Sequence, residues 1–451
     1  MQTAALNINK PTRTRFQILG LIFLSVVINY MDRTNISVAA AALTDDLQLT
    51  SIQMGLIFSA FGWTYSVCQI PGGIVVDFVK ARILYPVILV LWSAATLIQG
   101  LVSSFGALVG LRMAIGVFEA PSYPCNNKIV TNWFPENERA SAIAIYTSGQ
   151  FIGLAFLMPV LVVIQDAFGW RGLFIVSGLV GFVWAAIWYV FYRDPEDHKG
   201  ANQAELDHIA QDEVKIVEQV KEQKTEQKEV SEKNESKLTK ENLKIVFSNQ
   251  KLWGIYIGQF CLGGTLIFFL TWFPTYLVEY RGLDFIKSGF LASIPFIAAF
   301  CGVLISGFFS DFLVRKGVSK EVSRKAPMII GMMLSMFIIG ANYTDDTTLI
   351  ITFLSIAFFG NGLSSIAWIF VSLLAPKQLI GLVGGCMNAI GSLAGVIVPV
   401  VIGFLVTDGD FRPALFFIAS LAGIGFCSYL FLVGKIERVT LPSDKAAVQG
   451  G

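Results

Sequence analysis

The sequence predicts an all-α membrane protein with twelve transmembrane helices, built as two repeated bundles of six. Three observations carry this expectation. Hydrophobic residues fill 54% of the 451 positions and charged residues only 14%, with a mean hydropathy of +0.64. The apolar residues come in long blocks, and about 18 or more in succession cross a hydrocarbon core ~30 Å thick. Short motifs also recur in the two halves of the chain, about 235–240 residues apart.

The expected spans of the first half are Phe16–Ala42, Ser51–Val76, Ile83–Ser103, Phe105–Asn127, Glu138–Ile164 and Arg171–Tyr192. Those of the second are Lys251–Glu279, Lys287–Ser310, Ala326–Ala341, Thr347–Leu374, Leu379–Val406 and Arg412–Gly434. The first block lacks a small-residue cleavage site and reads as a helix that stays, not a signal peptide. The domains are therefore 1–192, a charged linker over 193–250, and 251–451.

Lys and Arg in short loops set orientation. Lys10, Arg13, Arg15, Lys80, Arg82, Arg139, Arg315, Lys316, Lys320, Arg324, Lys325, Lys377, Lys435 and Arg438 fall on one side. Only Arg171, Arg281, Lys287 and Arg412 fall on the other, among Asp45, Asp46, Asp345, Asp346 and Asp408. With an even number of spans, this bias predicts that both termini lie in the cytoplasm. The linker is rich in Lys, Glu and Gln and buries too little apolar surface to fold alone. Within it Ala204–Val220 has the periodicity of an amphipathic surface helix.

Formal net charge is +1, so nothing points to nucleic acid as a partner. Cys68, Cys125, Cys261, Cys301, Cys386 and Cys427 stand singly in apolar runs, so no metal, disulfide or cofactor is expected. Both histidines, His198 and His208, lie in the linker, which leaves carboxylates for any proton chemistry in the bilayer.

An ionised side chain near the bilayer centre costs roughly 2.5–3.5 kcal/mol, so it needs a partner, a cavity or a function. Asp32 and Arg33 in the first span and Arg112 and Glu119 in the fourth are such residues. They staple helices together, or they act. Neighbouring helical residues point about 100° apart, so Asp32 and Arg33 face different partners, and Arg33 shares a face with Tyr30. Arg112 and Glu119 stand two turns apart with Gly116 leaving room between them. This spacing predicts that Arg112 pairs with Asp32 or Glu119 and that Arg33 stays free for an anion, whose carboxylate its fork suits. In the second half Asn361, Ser365, Trp368 and Ser372 form a stripe at helical spacing, and Asn388 and Ser392 form another. They hydrogen-bond between helices, or they line a cavity, where the Trp368 ring suits a carbon skeleton. Tyr65 and Gln69 share a face in the first half, and Gln150 interrupts the fifth span.

The repeat aligns Gly73 and Asp77, at the end of the second span, with Gly307 and Asp311, at the end of the eighth. Pro159 similarly aligns with Pro399. Parallel six-helix repeats with a Gly-x3-Asp motif before basic residues resemble the major facilitator fold, whose substrate site lies between the halves. Asn29-Tyr30-Met31-Asp32-Arg33, Phe118-Glu119-Ala120-Pro121, Trp133-Phe134-Pro135 and Thr271-Trp272-Phe273-Pro274 resemble the anion:cation symporters of that superfamily. The resemblance implies proton-coupled uptake of a small organic anion by a carrier that works as a monomer and is not an enzyme. Tyr146-Thr-Ser-Gly-Gln150 and Phe358-Phe-Gly-Asn361-Gly are most like the members that carry D-galactonate. Glucarate or galactarate, a hexuronate or an aromatic acid is the alternative cargo, and a transporter-like nutrient sensor the remote one.

The resemblance further implies that Asp32 and Glu119 carry protons, that Arg112 is their switching partner and that Arg33 binds the carboxylate. Tyr30, Tyr65, Gln150, Ser365, Trp368 and Asn388 would contact the sugar acid, and Gly73, Asp77, Gly307 and Asp311 would serve conformational change. Ala367 stands where such members usually carry threonine, so one hydroxyl of their recognition pattern is missing.

Overall fold

A computed structural model describes residues 11–210, 240–376, 379–407 and 409–439, without the side chains of 136, 137, 140, 240–243, 311 and 320. Lys10, Lys377, Asp408 and positions 211–220 of the expected linker helix lie outside the described residues.

The first half comprises α1 (Thr14–Leu47), α2 (Ser51–Phe78), α3 (Ala81–Gln99), α4 (Phe105–Glu119), α5 (Ser122–Trp133) and α6 (Glu136–Phe191). Two linker helices follow, α7 (203–210) and α8 (Lys240–Ser248). The second half comprises α9 (Gln250–Thr271), α10 (Phe285–Arg315), α11 (Lys320–Ser335), α12 (Thr347–Leu363), α13 (Ile369–Leu374), α14 (Ile380–Leu405) and α15 (Arg412–Cys427). No strand occurs among the described residues, as a bilayer requires where each backbone group must bond within its own helix.

Among the described residues ten helices are long and apolar enough to cross a membrane. They account for the expected twelve spans once two features are considered. The run from Ser141 to Phe191 covers 51 residues, and Gly169 interrupts it at φ 68° and ψ 175°, so it crosses twice. A left-handed φ at this turn suits glycine, which has no Cβ to clash. α2 is 28 residues long, but its Gln, Ser, Tyr and Gly content dilutes its hydropathy. Its start is closed by a capping box between Thr50 and Gln53.

Several spans are broken where the sequence reading had them continuous. α4 and α5 form one crossing interrupted at Ala120–Pro121, immediately after Glu119. The tenth crossing changes to a 3-10 turn over Ser364–Trp368 between α12 and α13. Pro121 lacks the amide that would continue α4. Broken helices at the midplane are common where a membrane carrier holds its substrate.

The halves meet at the end where Leu47 passes to Ser51. A Cβ on Gly55 would lie 2.6 Å from the Pro399 carbonyl oxygen, and one on Gly403 2.6 Å from that of Ser51. Trp272 Nε1 donates to the Pro399 oxygen at 3.1 Å, and its ring meets Phe58 edge-on at 5.2 Å. At the opposite end, among the described residues, Gly73 and Gly307 have no atom within 4 Å of where a Cβ would sit. The structure is therefore sealed at the Ser51 end and parted at the Phe78 end.

This seam yields a test. Gly55→Leu should wedge it apart, since overpacking costs about 1–3 kcal/mol, a roughly 5- to 150-fold shift in population. Labelling of Cys68 by a membrane-impermeant thiol reagent added at the Phe78 end should slow accordingly. Unchanged labelling in a folded variant means that the seam does not govern the opening.

The linker begins as a docked segment. Glu205 on α7 is fully buried and accepts from the backbone amides of Thr14 and Arg15 at 3.2 and 3.1 Å. It thus caps the start of α1, where free N–H groups attract a carboxylate. Arg15 also bonds Glu138, and His208 Nε2 lies 3.1 Å from the same carboxylate. Burial opposes the charge on Glu138, but hydrogen bonds from His208 and Arg15 outweigh it and hold its carboxyl below the ordinary range. A carboxyl lowered on folding contributes stability that is present above its unfolded pKa and lost as pH falls through the folded one. Cleavage of the linker by pepsin, a protease active in acid, should therefore quicken below the normal glutamate range more in wild type than in Glu138→Gln.

Candidate functional site

The charged residues of α1 and α4 converge inside the first half. Glu119 is fully buried and takes Arg33 as its ion-pair partner. The Arg33 guanidinium lies over three aromatic rings, 4.9 Å from the centroid of Tyr30, 4.9 Å from Phe61 and 4.7 Å from Tyr65. The faces of such rings attract a cation, more strongly where water is excluded. Tyr30 donates from its hydroxyl to Gln150 at 2.7 Å, and Tyr65 stacks on Phe61 at 5.0 Å. Tyr30, Arg33, Tyr65, Glu119 and Gln150 thus form one cluster.

Arg112 and Asp32 form a second layer. The fully buried Asp32 accepts from Trp92 Nε1 at 3.0 Å through Oδ2, while Oδ1 has no donor among the described residues. Arg112 donates to the backbone oxygen of Asp32 at 3.4 Å and lies 5.3 Å from the Phe61 centroid. Phe61 therefore serves both arginines.

Two readings of the sequence need correction. Arg112 was expected to take a carboxylate and leave Arg33 free, but Arg33 holds Glu119. Arg112 and Glu119 stand seven residues apart on one helix, ~10 Å along its axis, whereas α1 presents Arg33 to the end of α4. Gly116 does not make room between Arg112 and Glu119. A Cβ there would lie 2.3 Å from Thr64 Oγ1 and 2.5 Å from the Phe61 oxygen, so this glycine lets α4 press against α2.

The second half contributes Asn388, whose Nδ2 donates to Gln69 Oε1 at 3.2 Å. Gln69 lies one turn beyond Tyr65, so this bond ties α14 to the edge of the Arg33 cluster. Asn361 instead donates to the Leu262 oxygen at 2.9 Å, and Ser392 bonds its own helix, both structural roles. Ser365 is partly buried and Trp368 is 50% exposed. Among the described residues no hydrogen bond or ring contact joins these two to the Arg33 cluster.

Of the conformational motif, the Asp77 side chain is exposed and meets no cation among the described residues. Its backbone oxygen accepts from Lys128 Nζ at 3.3 Å. Gly73 and Gly307 face open space, and the side chain of Asp311 is outside the description. A site between the parted ends of the halves is consistent with this openness.

Sequence reasoning missed Phe61 and Trp92. The signal for Phe61 was its position one turn before Tyr65, and for Trp92 a lone indole N–H mid-span, which must find an acceptor when buried.

Residues 22–399 match the Major Facilitator Superfamily. The chain is 48% identical over 433 residues to a "D-galactonate transporter" of Escherichia coli O6:H1, covering 96% of this chain and 99% of that protein. It is 38% identical over 439 residues to a "Probable galactarate/D-glucarate transporter" of Escherichia coli (strain K12), covering 96% and 97%. The inward-open structure of the xylose transporter from E. coli superposes with a TM-score of 0.69 at 13% identity, over 93% of this chain and 97% of that one. This last similarity speaks to the fold alone.

Proposed function

Because the chain belongs to the Major Facilitator Superfamily, we propose that it carries a sugar acid, D-galactonate first, together with protons across a bacterial inner membrane. The 48% identity to a D-galactonate transporter along nearly the whole chain supports the cargo. The single observation that carries the mechanism is the Arg33–Glu119 pair in its cage of Tyr30, Phe61 and Tyr65.

In this reading the cargo's carboxylate and Glu119 compete for one guanidinium. A proton on Glu119 releases Arg33, whose fork then takes the sugar acid. Tyr30, Tyr65, Gln150 and Asn388 offer hydrogen bonds to its hydroxyls, and Ser365 and Trp368 reach it when the halves close. Loss of the proton returns Arg33 to Glu119 and expels the cargo. Asp32 takes a second proton, with Arg112 beside it as the fixed counter-charge. Basic loops at the Phe78 end support a cytoplasmic placement of both termini, which makes the parted end inward-facing. Gly73, Asp77, Gly307 and Asp311 would close that end in the opposite state. One chain contains both halves of the path, so a monomer suffices.

A second reading, galactarate or glucarate, is favoured by the 38% relative. These cargoes carry two carboxylates. In the cluster Arg33 is partly open, with 14% of its side chain exposed, whereas Arg112 is buried against Asp32. One accessible guanidinium favours a monoanion. Uptake of labelled D-galactonate into proteoliposomes under a pH gradient decides between them. Unlabelled D-galactonate should compete at least tenfold better than galactarate, glucarate or a hexuronate, and a protonophore should abolish accumulation. Absence of D-galactonate uptake would sink the favoured cargo.

A further inference from the structure

The interior of the first half contains buried polar groups that the cargo site does not use. On α1, Asn35 is fully buried and neither of its amide atoms has a partner among the described residues. On α3, Gln99 is fully buried with both amide atoms unpartnered among the described residues, as is the Thr96 hydroxyl. At about 100° per residue, Asp32, Asn35 and Asp46 fall within about 60° of one another on α1. Trp92, Thr96 and Gln99 do the same on α3.

The two stripes run in the same direction and are joined at both ends. Trp92 bonds Asp32 at 3.0 Å at the deep end. At the sealed end Arg171 spans them, donating to Asp46 at 2.6 Å and to Ser103, just beyond α3, at 2.9 Å. Between these ties the two α1 residues are 14 positions apart, ~21 Å along the helix. Ala39, level with Gln99, carries only a methyl group, and Leu43, level with Ser103, is the apolar side chain to be passed. Buried amides without protein partners cost free energy unless water bonds them.

We propose that these stripes enclose a file of water that conducts protons from the Asp46–Arg171–Ser103 surface to Asp32, inside the first half and separate from the cavity between the halves. A proton entering at the surface displaces one along the file, and the last is taken by Asp32 Oδ1, the carboxylate oxygen without a donor among the described residues. Asp32 thereby exchanges protons with the sealed side while the cargo site is open to the other. Glu119 and Arg33 face that cargo site, and Arg112, bonded to the Asp32 backbone oxygen, is the fixed charge that opposes a leak. The role assigned to Asp32 rests on the proton-coupled reading above.

The test is the double variant Gln99→Leu with Thr96→Val, which keeps side-chain volume and removes the polar atoms. In proteoliposomes, accumulation of D-galactonate driven by a pH gradient should fall at least fivefold, with exchange of labelled for unlabelled D-galactonate within twofold of wild type. Ser355→Ala, a buried hydroxyl in the other half, should change neither. Radiolytic hydroxyl labelling supplies a readout independent of cargo: the fully buried Trp92 should be oxidised in wild type and protected in the double variant. A wild-type protein whose Trp92 resists labelling overturns the proposal, even if D-galactonate is transported. Labelled Trp92 without D-galactonate uptake overturns the cargo and leaves the file standing. Equal loss of both fluxes with unchanged Trp92 labelling makes the stripes structural and also overturns it.

Discussion

Arg33→Lys should weaken cargo binding roughly 30- to 150-fold, corresponding to about 2–3 kcal/mol. The ammonium retains the charge that balances Glu119, so folding should survive. What it loses is the planar fork, which bonds two groups at once and stacks on rings. Arg33 uses both properties, holding Glu119 while lying within 5 Å of the centroids of Tyr30, Phe61 and Tyr65. Arg33→Ala is a harsher and less informative change, because a buried carboxylate deprived of its partner costs about 3–5 kcal/mol. Equilibrium titration of the purified lysine variant with D-galactonate reads the affinity directly. Wild-type affinity would remove Arg33 from the anion site and leave the cage as a helix staple.

The membrane class and the repeat were legible because insertion is governed by composition over ~20 residues, a signal that tertiary packing does not override. The four buried charges were legible for the same reason: each stands out against an apolar background. Their pairing was not. The choice between Arg112 and Arg33 as partner of Glu119 depends on how α1 approaches the end of α4, and no helical periodicity encodes that approach. Gly116 illustrates the same limit, since its space is used by α2, a helix some 50 residues away in sequence. The breaks at Ala120–Pro121 and Ser364–Trp368 were also missed. A proline in a membrane helix can be accommodated by neighbouring groups, so Pro121 alone does not announce a break, and the 3-10 turn contains no breaker. The outer polar stripe on α3 was overlooked because Thr96 and Gln99 are uncharged, and its meaning appears only when Trp92 reaches across to Asp32.

Glu119→Gln and Asp32→Asn should each reduce proton-driven accumulation at least tenfold while exchange of cargo for cargo stays within threefold. Exchange requires only that the loaded carrier reorient, whereas accumulation requires it to return empty after releasing protons. In Glu119→Gln the neutral amide no longer competes for Arg33, so cargo binding should become independent of pH across the carboxylate range. Asp32→Asn should differ in its response to voltage. One proton with a monoanion moves no net charge, and a second proton moves one, worth ~2.3 kcal/mol at 100 mV or about 50-fold in concentration. A potassium diffusion potential, inside negative, should therefore raise accumulation in wild type and have no effect on the residual uptake of Asp32→Asn. Equal loss of exchange and accumulation in both variants would make the carboxylates structural. A voltage response that survives in Asp32→Asn would instead assign the second proton to a group other than Asp32, and the pairing of Arg112 with its backbone would then be a staple between α1 and α4.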